Sequence, residues 1–402
     1  MGHKGDTPSG VREKIGIVIY ANPDHYPPII SIVQLLSRAY DIIILCRNQG
    51  EEEYAYPNNV TLYRLGKLKT PREKEAQNPL IRFLEFLFFN VCTIFLLSFH
   101  CCRLVYSFDS YGLVPGFIAS RLPRRKPLLY HHLDFWGVRY GVCLGGFITH
   151  LEKSLSRYAE IIVFPDINRA KLFQKMTGIA RMPEIVMNTP LLQTQLPTNT
   201  LEEFLKSKGL SAKTKIILYQ GSISEGNSLS ETLRSMRYWP EDAVFVLGGR
   251  IYEQFMVKFK NEIEKLQLSD RIFLLPLVSH EKIFSYTVGA SVGLALYNYP
   301  DINRVFVVGA SNKIFIYLSM GVPVIVNDTP NFRSVLDSSV AYFVDPNSPA
   351  AIAGAINSAF YDQETYRRKS QAARLKHLET FNYEHQFLPV LEYIKNTVKP
   401  AK

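Results

Sequence analysis

Short apolar runs alternate with helical stretches along the whole chain, and that alternation leaves few folds open. The runs read as strands over 14–20, 41–47, 59–65, 103–109, 127–133, 160–166 and 184–189, with helices over 28–37, 79–100, 113–121, 146–157 and 168–178. A polar stretch follows over 190–213, with one short helix near 201–208. The series then restarts with strands over 215–221, 242–249, 271–276, 290–297, 322–328 and 341–345, and closes on a mostly helical tail. Apolar strands separated by helices pair in parallel and are covered on both faces. The pattern predicts an α/β protein of two Rossmann-like domains facing a cleft, where ligands meet the carboxyl ends of the strands. The sequence PDINR occurs twice, at Pro165–Arg169 and Pro300–Arg304, each after a strand, and reads as coincidence.

A chain of 402 residues, 47% apolar, has enough material for two cores. Its formal charge of +10 points to an anionic partner, and the dispersed basic residues carry no nucleic-acid motif. Cys46, Cys92, Cys101, Cys102 and Cys143 lack metal spacing and read as buried thiols of a reducing compartment. The polar start MGHKGDTPSG has no secretory h-region, and Asp6 spoils a myristoylation reading of Gly2. These features predict a cytoplasmic protein, with attachment at the inner membrane face as a further option. The uncharged run from Phe86 to Cys102 bears on that option. Strands expected on either side of it belong to one sheet, so it reads first as a buried Rossmann helix. An interfacial membrane face is the second reading, supported by basic Arg121, Arg124, Arg125 and Lys126 nearby.

The segment SNKIFIYLSMGVPVIV, Ser311 to Val326, reads as a helix with a strand behind it. Ser311 suits the N-cap and Gly321 the left-handed stop. A helix N-terminus attracts phosphate, and Lys313 adds a full charge in its first turn. Gly221 and Ser222, after the 215–221 strand, form a small-residue turn that lets backbone N–H groups approach an anion. No GxGxxG or GxxxxGK[ST] pattern occurs, which removes the main support for nicotinamide or P-loop chemistry.

With SNK, an aromatic residue, Tyr317 and GVPVI in order, the chain resembles the retaining, sucrose-synthase-like GT-B glycosyltransferases, the glycosyl transferases group 1 class. The resemblance implies a nucleotide diphosphate sugar donor held by Gly221, Ser222, Ser311, Asn312 and Lys313, with the base against the backbone at Leu277 and Val278. It also implies domains at 1–200 for the acceptor and 201–380 for the donor, with the 381–402 helix crossing back to the first. No DxD occurs, so metal-free chemistry is expected, with Lys313 and helix dipoles managing phosphate charge. The family's His in the first domain falls on Leu133, leaving His131 or His132 to supply it. His132, Asp134 and Lys313 are the candidate catalytic residues, with Trp136 beside Asp134 at the acceptor. Asp109 is either a sugar ligand or a helix cap, and Asn22 and His25 are acceptor candidates. The family's two donor glutamates fall on apolar Val308 and Ile316, and its loop cation on Asn227. Glu225 or Asp301 would have to reach the ribose instead.

The reading is a cytoplasmic hexosyltransferase, needing no cofactor, that acts on a carbohydrate or lipid-linked acceptor in polysaccharide or glycolipid synthesis. Those four departures together support an alternative, a noncatalytic GT-B partner subunit.

Overall fold

In the computed structural model, which describes residues 12–50, 54–68, 78–134, 144–211, 213–298 and 301–399, each expected strand forms within a few residues of its predicted place. The first sheet holds β1 (Lys14–Ile19), β2 (Asp41–Arg47), β3 (Val60–Leu65), β4 (Leu104–Phe108), β5 (Leu128–His131), β6 (Ile161–Phe164) and β7 (Glu184–Ile185). Its order is β3-β2-β1-β4-β5-β6-β7, with every neighbour parallel. The second holds β8 (Lys215–Gln220), β9 (Ala243–Gly248), β10 (Ile272–Leu274), β11 (Val292–Ala295), β12 (Val324–Asn327) and β13 (Ala341–Val344). Its order is β10-β9-β8-β11-β12-β13, again all parallel. Strand order reverses beside β1 and β8. Loops leaving β1 and β4, and β8 and β11, therefore flank the two switch points where open sheets take ligands.

One unit runs to Val186 and takes back the chain from Phe387; the other is Met187–Gln386. The division falls earlier than residue 200 because the stretch after Val186 bonds within the second unit. Asn188 N–H donates to the Gly309 carbonyl at 2.7 Å, and Tyr383 N–H to the Pro190 carbonyl at 2.8 Å. In the first unit, Tyr40 donates its hydroxyl to the Val398 carbonyl at 2.9 Å, and the Phe387 ring stacks on Tyr106.

The Asn312–Ser319 helix is locked to β8 by Tyr317. Its buried hydroxyl accepts Gln220 N–H at 2.8 Å and donates to the Leu218 carbonyl at 3.1 Å. The ring lies flat on Gly293 of β11, where a β-carbon would approach Cδ2 at 2.3 Å. Neither ring nor strand has room to retreat. Gly293→Ala should therefore cost about 2–4 kcal/mol through overpacking and the lost hydroxyl bonds. Calorimetry should read this as a fall of roughly 5–15 °C in the unfolding midpoint.

The Pro79–Phe99 helix corrects one expectation. Phe86, Phe89, Thr93 and Leu97 face the sheet and are buried, but the opposite side is open, with Phe95 66% and Phe99 70% exposed. It is not a buried core helix. By length and composition alone it is long and apolar enough to cross a membrane. Cys46 and Cys102 are buried as expected, whereas Cys101 is exposed; Cys143 lies outside the described residues.

Candidate active site

In the second unit the chemistry gathers at the end of β8. Gly221 has φ +141°, a conformation reserved for glycine, and its bare Cα admits a side chain from the facing helix. That side chain is Lys313: a β-carbon on Gly221 would lie 2.9 Å from its Nζ. Gly249 is needed for the same reason, since a β-carbon there would meet the Gly221 carbonyl oxygen at 2.0 Å. The ammonium sits 4.2 Å from the Tyr219 ring centroid and 5.1 Å from that of Tyr297. Desolvation, then the nearby Arg304 guanidinium, pushes Lys313 down to about 7. Asp301 lies 3.5 Å from Arg304, whereas no carboxylate among the described residues is paired with Lys313. Its side chain keeps a partial opening to solvent, so an anion could reach it.

Arg304 is the residue that sequence reasoning missed. Asn227, at the expected cation position, is buried and tied to its own turn through the Ser222 carbonyl at 2.9 Å. Arg304 arrives from the other side of the switch point, donating to the Gly226 carbonyl and to Asn227 Oδ1 at 3.1 Å. The signal was the repeated PDINR, which is a recurrent structural device rather than coincidence. Asp166 caps Asn168 N–H at 2.8 Å, and Asp301 caps Asn303 N–H at 2.7 Å. In both copies the arginine then reaches a carbonyl in the loop after the neighbouring strand: Arg169 that of Leu133, Arg304 that of Gly226.

Ser311 occupies the N-cap position but makes no capping bond; its hydroxyl pairs with that of Tyr297 at 2.7 Å. Asn312 opens the helix, and Gly321 ends it at φ +71° as expected. Leu277 is exposed on the loop after β10, next to Val278, while Leu275 is in the core. Val308 and Ile316 are buried in the apolar cluster of this unit and offer no polar group. Glu225 is paired with Lys258 at 2.9 Å on the surface, whereas Asp301 stays beside Arg304. Among the described residues no group of His, Cys, Asp and Glu is arranged to hold a metal ion.

In the first unit the acids at the strand ends are partly open, whereas the histidines there are buried. His131 is fully buried, its Nδ1 3.1 Å from the Tyr106 hydroxyl, and burial pushes it down to about 3. His132 is sandwiched in the core against Phe164, with its Nε2 3.0 Å from Glu152. Both strand faces are covered, so neither histidine meets solvent, and His132 is not carried forward as a catalyst. Asp109 is no N-cap either; it opens its helix at φ +52°. Its carboxylate accepts Leu133 N–H at 2.9 Å. Burial, then the charge of Asp134, raises Asp109 to about 8. Tyr26 lies close enough for both acids to raise its phenol, after burial. Asn22 is consumed by a buried network, accepting from Arg64 at 2.9 Å, while His25 is exposed. Trp136 lies outside the described residues.

The architecture of two all-parallel sheets is matched by known proteins. Residues 201–376 match the family model of glycosyl transferases group 1. That match lies within the second unit. Among solved structures, sucrose-phosphate synthase from Thermosynechococcus elongatus superposes with a TM-score of 0.74 at 17% identity, covering 96% of this chain and 99% of that one. HepE from Anabaena, in complex with UDP-glucose, gives 0.71 at 14% identity, covering 96% and 100%. A glycosyltransferase from Rickettsia africae gives 0.72 at 14%, covering 96% and 99%. No curated protein matches in sequence. The fold is GT-B.

Proposed function

We propose that this protein is a glycosyltransferase that moves a hexosyl unit from a nucleoside diphosphate sugar to a hydroxyl of a carbohydrate or lipid-linked acceptor, with retained configuration and without a metal ion. One observation carries the reading: Lys313 lies over Gly221 and Arg304 bonds Gly226 in the same loop after β8, and among the described residues no carboxylate is paired with Lys313. Two cations at a glycine turn and a helix N-terminus suit a diphosphate, and they stabilise the charge that grows as it departs. The UDP-glucose bound to HepE supports a donor of this class. Asp109 and Asp134, in the other unit, are the groups proposed to meet the acceptor hydroxyl. Work on a lipid-linked acceptor at the inner membrane face in polysaccharide or glycolipid synthesis fits this chemistry.

Buried Val308 and Ile316 favour a second reading, a noncatalytic GT-B partner subunit, because neither can bond a ribose or sugar hydroxyl. Two measurements separate the readings. Calorimetry with UDP, ADP and GDP should find a ligand, and Arg304→Ala should weaken its binding by about 1.5–3 kcal/mol, the range for charge-assisted hydrogen bonds. Unchanged affinity in a folded Arg304→Ala variant removes that residue from the site. Nucleotide binding without release of labelled sugar from UDP-, ADP- or GDP-glucose would favour the subunit.

A further inference from the structure

The open side of the Pro79–Phe99 helix is a continuous stripe. Leu84, Leu87, Phe88, Val91, Phe95 and Phe99 recur at three- and four-residue spacing and are all exposed. Isolated exposed apolar residues are ordinary, but a stripe along a 21-residue helix is not. Phe86 and Phe89 pin the opposite side edge-on against Tyr20, at 5.3 and 4.9 Å between ring centroids. The stripe is therefore held outward rather than free to turn in. The helix has one carboxylate, Glu85, and it is paired with Arg47 at 2.7 Å.

At the carboxyl end of this helix lies an open cavity of about 590 Å³, partly lined by Ser98, His100 and Cys101. Its other walls carry Arg12, Lys14, Arg103, Arg124, Arg125 and Lys126 against a single acid, Glu13. Glu13 pairs with Arg103 at 3.0 Å, and Arg125 lies 3.8 Å from Glu160, which leaves a clear positive excess. Burial lowers Lys126.

We propose that the stripe and the basic cavity form one docking surface for an anionic lipid bilayer. A bilayer offers both complements in a single plane, acyl chains for the stripe and phosphates for the cavity. The helix lies in the interface rather than across it, because β3 and β4 on either side of it belong to one sheet. Its length of about 31 Å then runs along the membrane. The inference rests on the first unit alone and gives the membrane attachment suggested above a definite surface.

The test is flotation of the full chain, without nucleotide, on phosphatidylcholine vesicles with and without about one-third phosphatidylglycerol. Wild-type protein should float with the anionic vesicles at low ionic strength and be released at roughly 0.5 M salt, where screening is short-ranged. Arg124→Glu with Arg125→Glu should weaken partitioning at least about tenfold, since each cation contributes about fivefold. Phe88→Ser with Phe95→Ser should lower it by a similar factor through lost apolar burial. Both pairs are on the surface, and circular dichroism checks that they fold. Absence of wild-type protein from the anionic vesicles overturns the proposal, as does binding indifferent to both pairs of changes. Dimers seen by light scattering, dispersed by Phe88→Ser with Phe95→Ser and without vesicle binding, would assign the stripe to a second copy and also overturn it. None of these readouts involves sugar transfer.

Discussion

Lys313→Met is expected to raise the stability of the protein while removing most of its affinity for nucleoside diphosphates. Both effects follow from one environment. Lysine in an unfolded chain titrates near 10.4, whereas Lys313 is pushed to about 7 by desolvation and Arg304. Between those values the folded protein holds fewer protons than the unfolded chain, so stability rises with pH there. At and below pH 7 the charged lysine opposes folding. Methionine removes that cost. Because Lys313 is partly open to solvent, the gain is discounted to roughly 0.5–2 kcal/mol, visible as a higher unfolding midpoint. Affinity should fall about 10- to 150-fold, the equivalent of a lost charge-assisted bond.

The wild-type affinity should depend on pH in a defined direction. A bound diphosphate favours the ammonium, so binding above pH 7 takes up a proton. Affinity should then decline by up to about tenfold per pH unit as pH rises above about 7. Arginine stays charged throughout, so Lys313→Arg should flatten the profile. A wild-type dissociation constant that stays level from about pH 7 to pH 9 would take Lys313 out of phosphate binding.

Asp109→Asn should behave in a parallel way in the first unit. The folded carboxyl titrates near 8, far above an unfolded aspartate near 3.9. The folded protein therefore holds the extra proton between those values, and stability is lost as pH rises through them. Asparagine resembles the protonated acid, can still accept Leu133 N–H and tolerates the positive φ of this position. The variant should gain stability over wild type as pH rises from about 4 to 8, by roughly 1–3 kcal/mol at the upper end once partial exposure is allowed for. Transfer of label from UDP-glucose into a carbohydrate or lipid extract should fall by roughly 10²–10⁴, the usual contribution of a positioned acid or base. Retained transfer in the Asn variant would reduce Asp109 to a structural role.

How far the sequence disclosed this arrangement varies with the physics of each part. Strands such as Asp41–Arg47 and Ala243–Gly248 are buried on both faces, so continuous apolar runs marked them. Gly221 and Lys313 were legible because a turn that needs positive φ and a charged helix start are local features. Arg304 was not, since it reaches Asn227 across 77 residues through strand order rather than spacing. Its motif was visible, but what the repeat does depends on which loop lies beside it. His132 misled for the opposite reason: alternation selects an exposed face only when one face is exposed, and here both are covered. The Pro79–Phe99 helix is apolar on both sides, so periodicity could not tell its packed side from its open one.

Tyr317 stands one helical turn beyond Lys313, on the same face, and its hydroxyl takes the place of a strand neighbour at the end of β8. The ammonium and the glycine turn it overlies are thus referenced to a single phenol. A ligand arriving there would find its two contacts already at their final separation, and little conformational freedom would be lost on capture. Weak or transient anions would then exchange rapidly on a rigid seat, and discrimination would come from what extends beyond the phosphates. On the function proposed here, the fixed part would recognise charge, and sugar and base would be sorted by the loops around it.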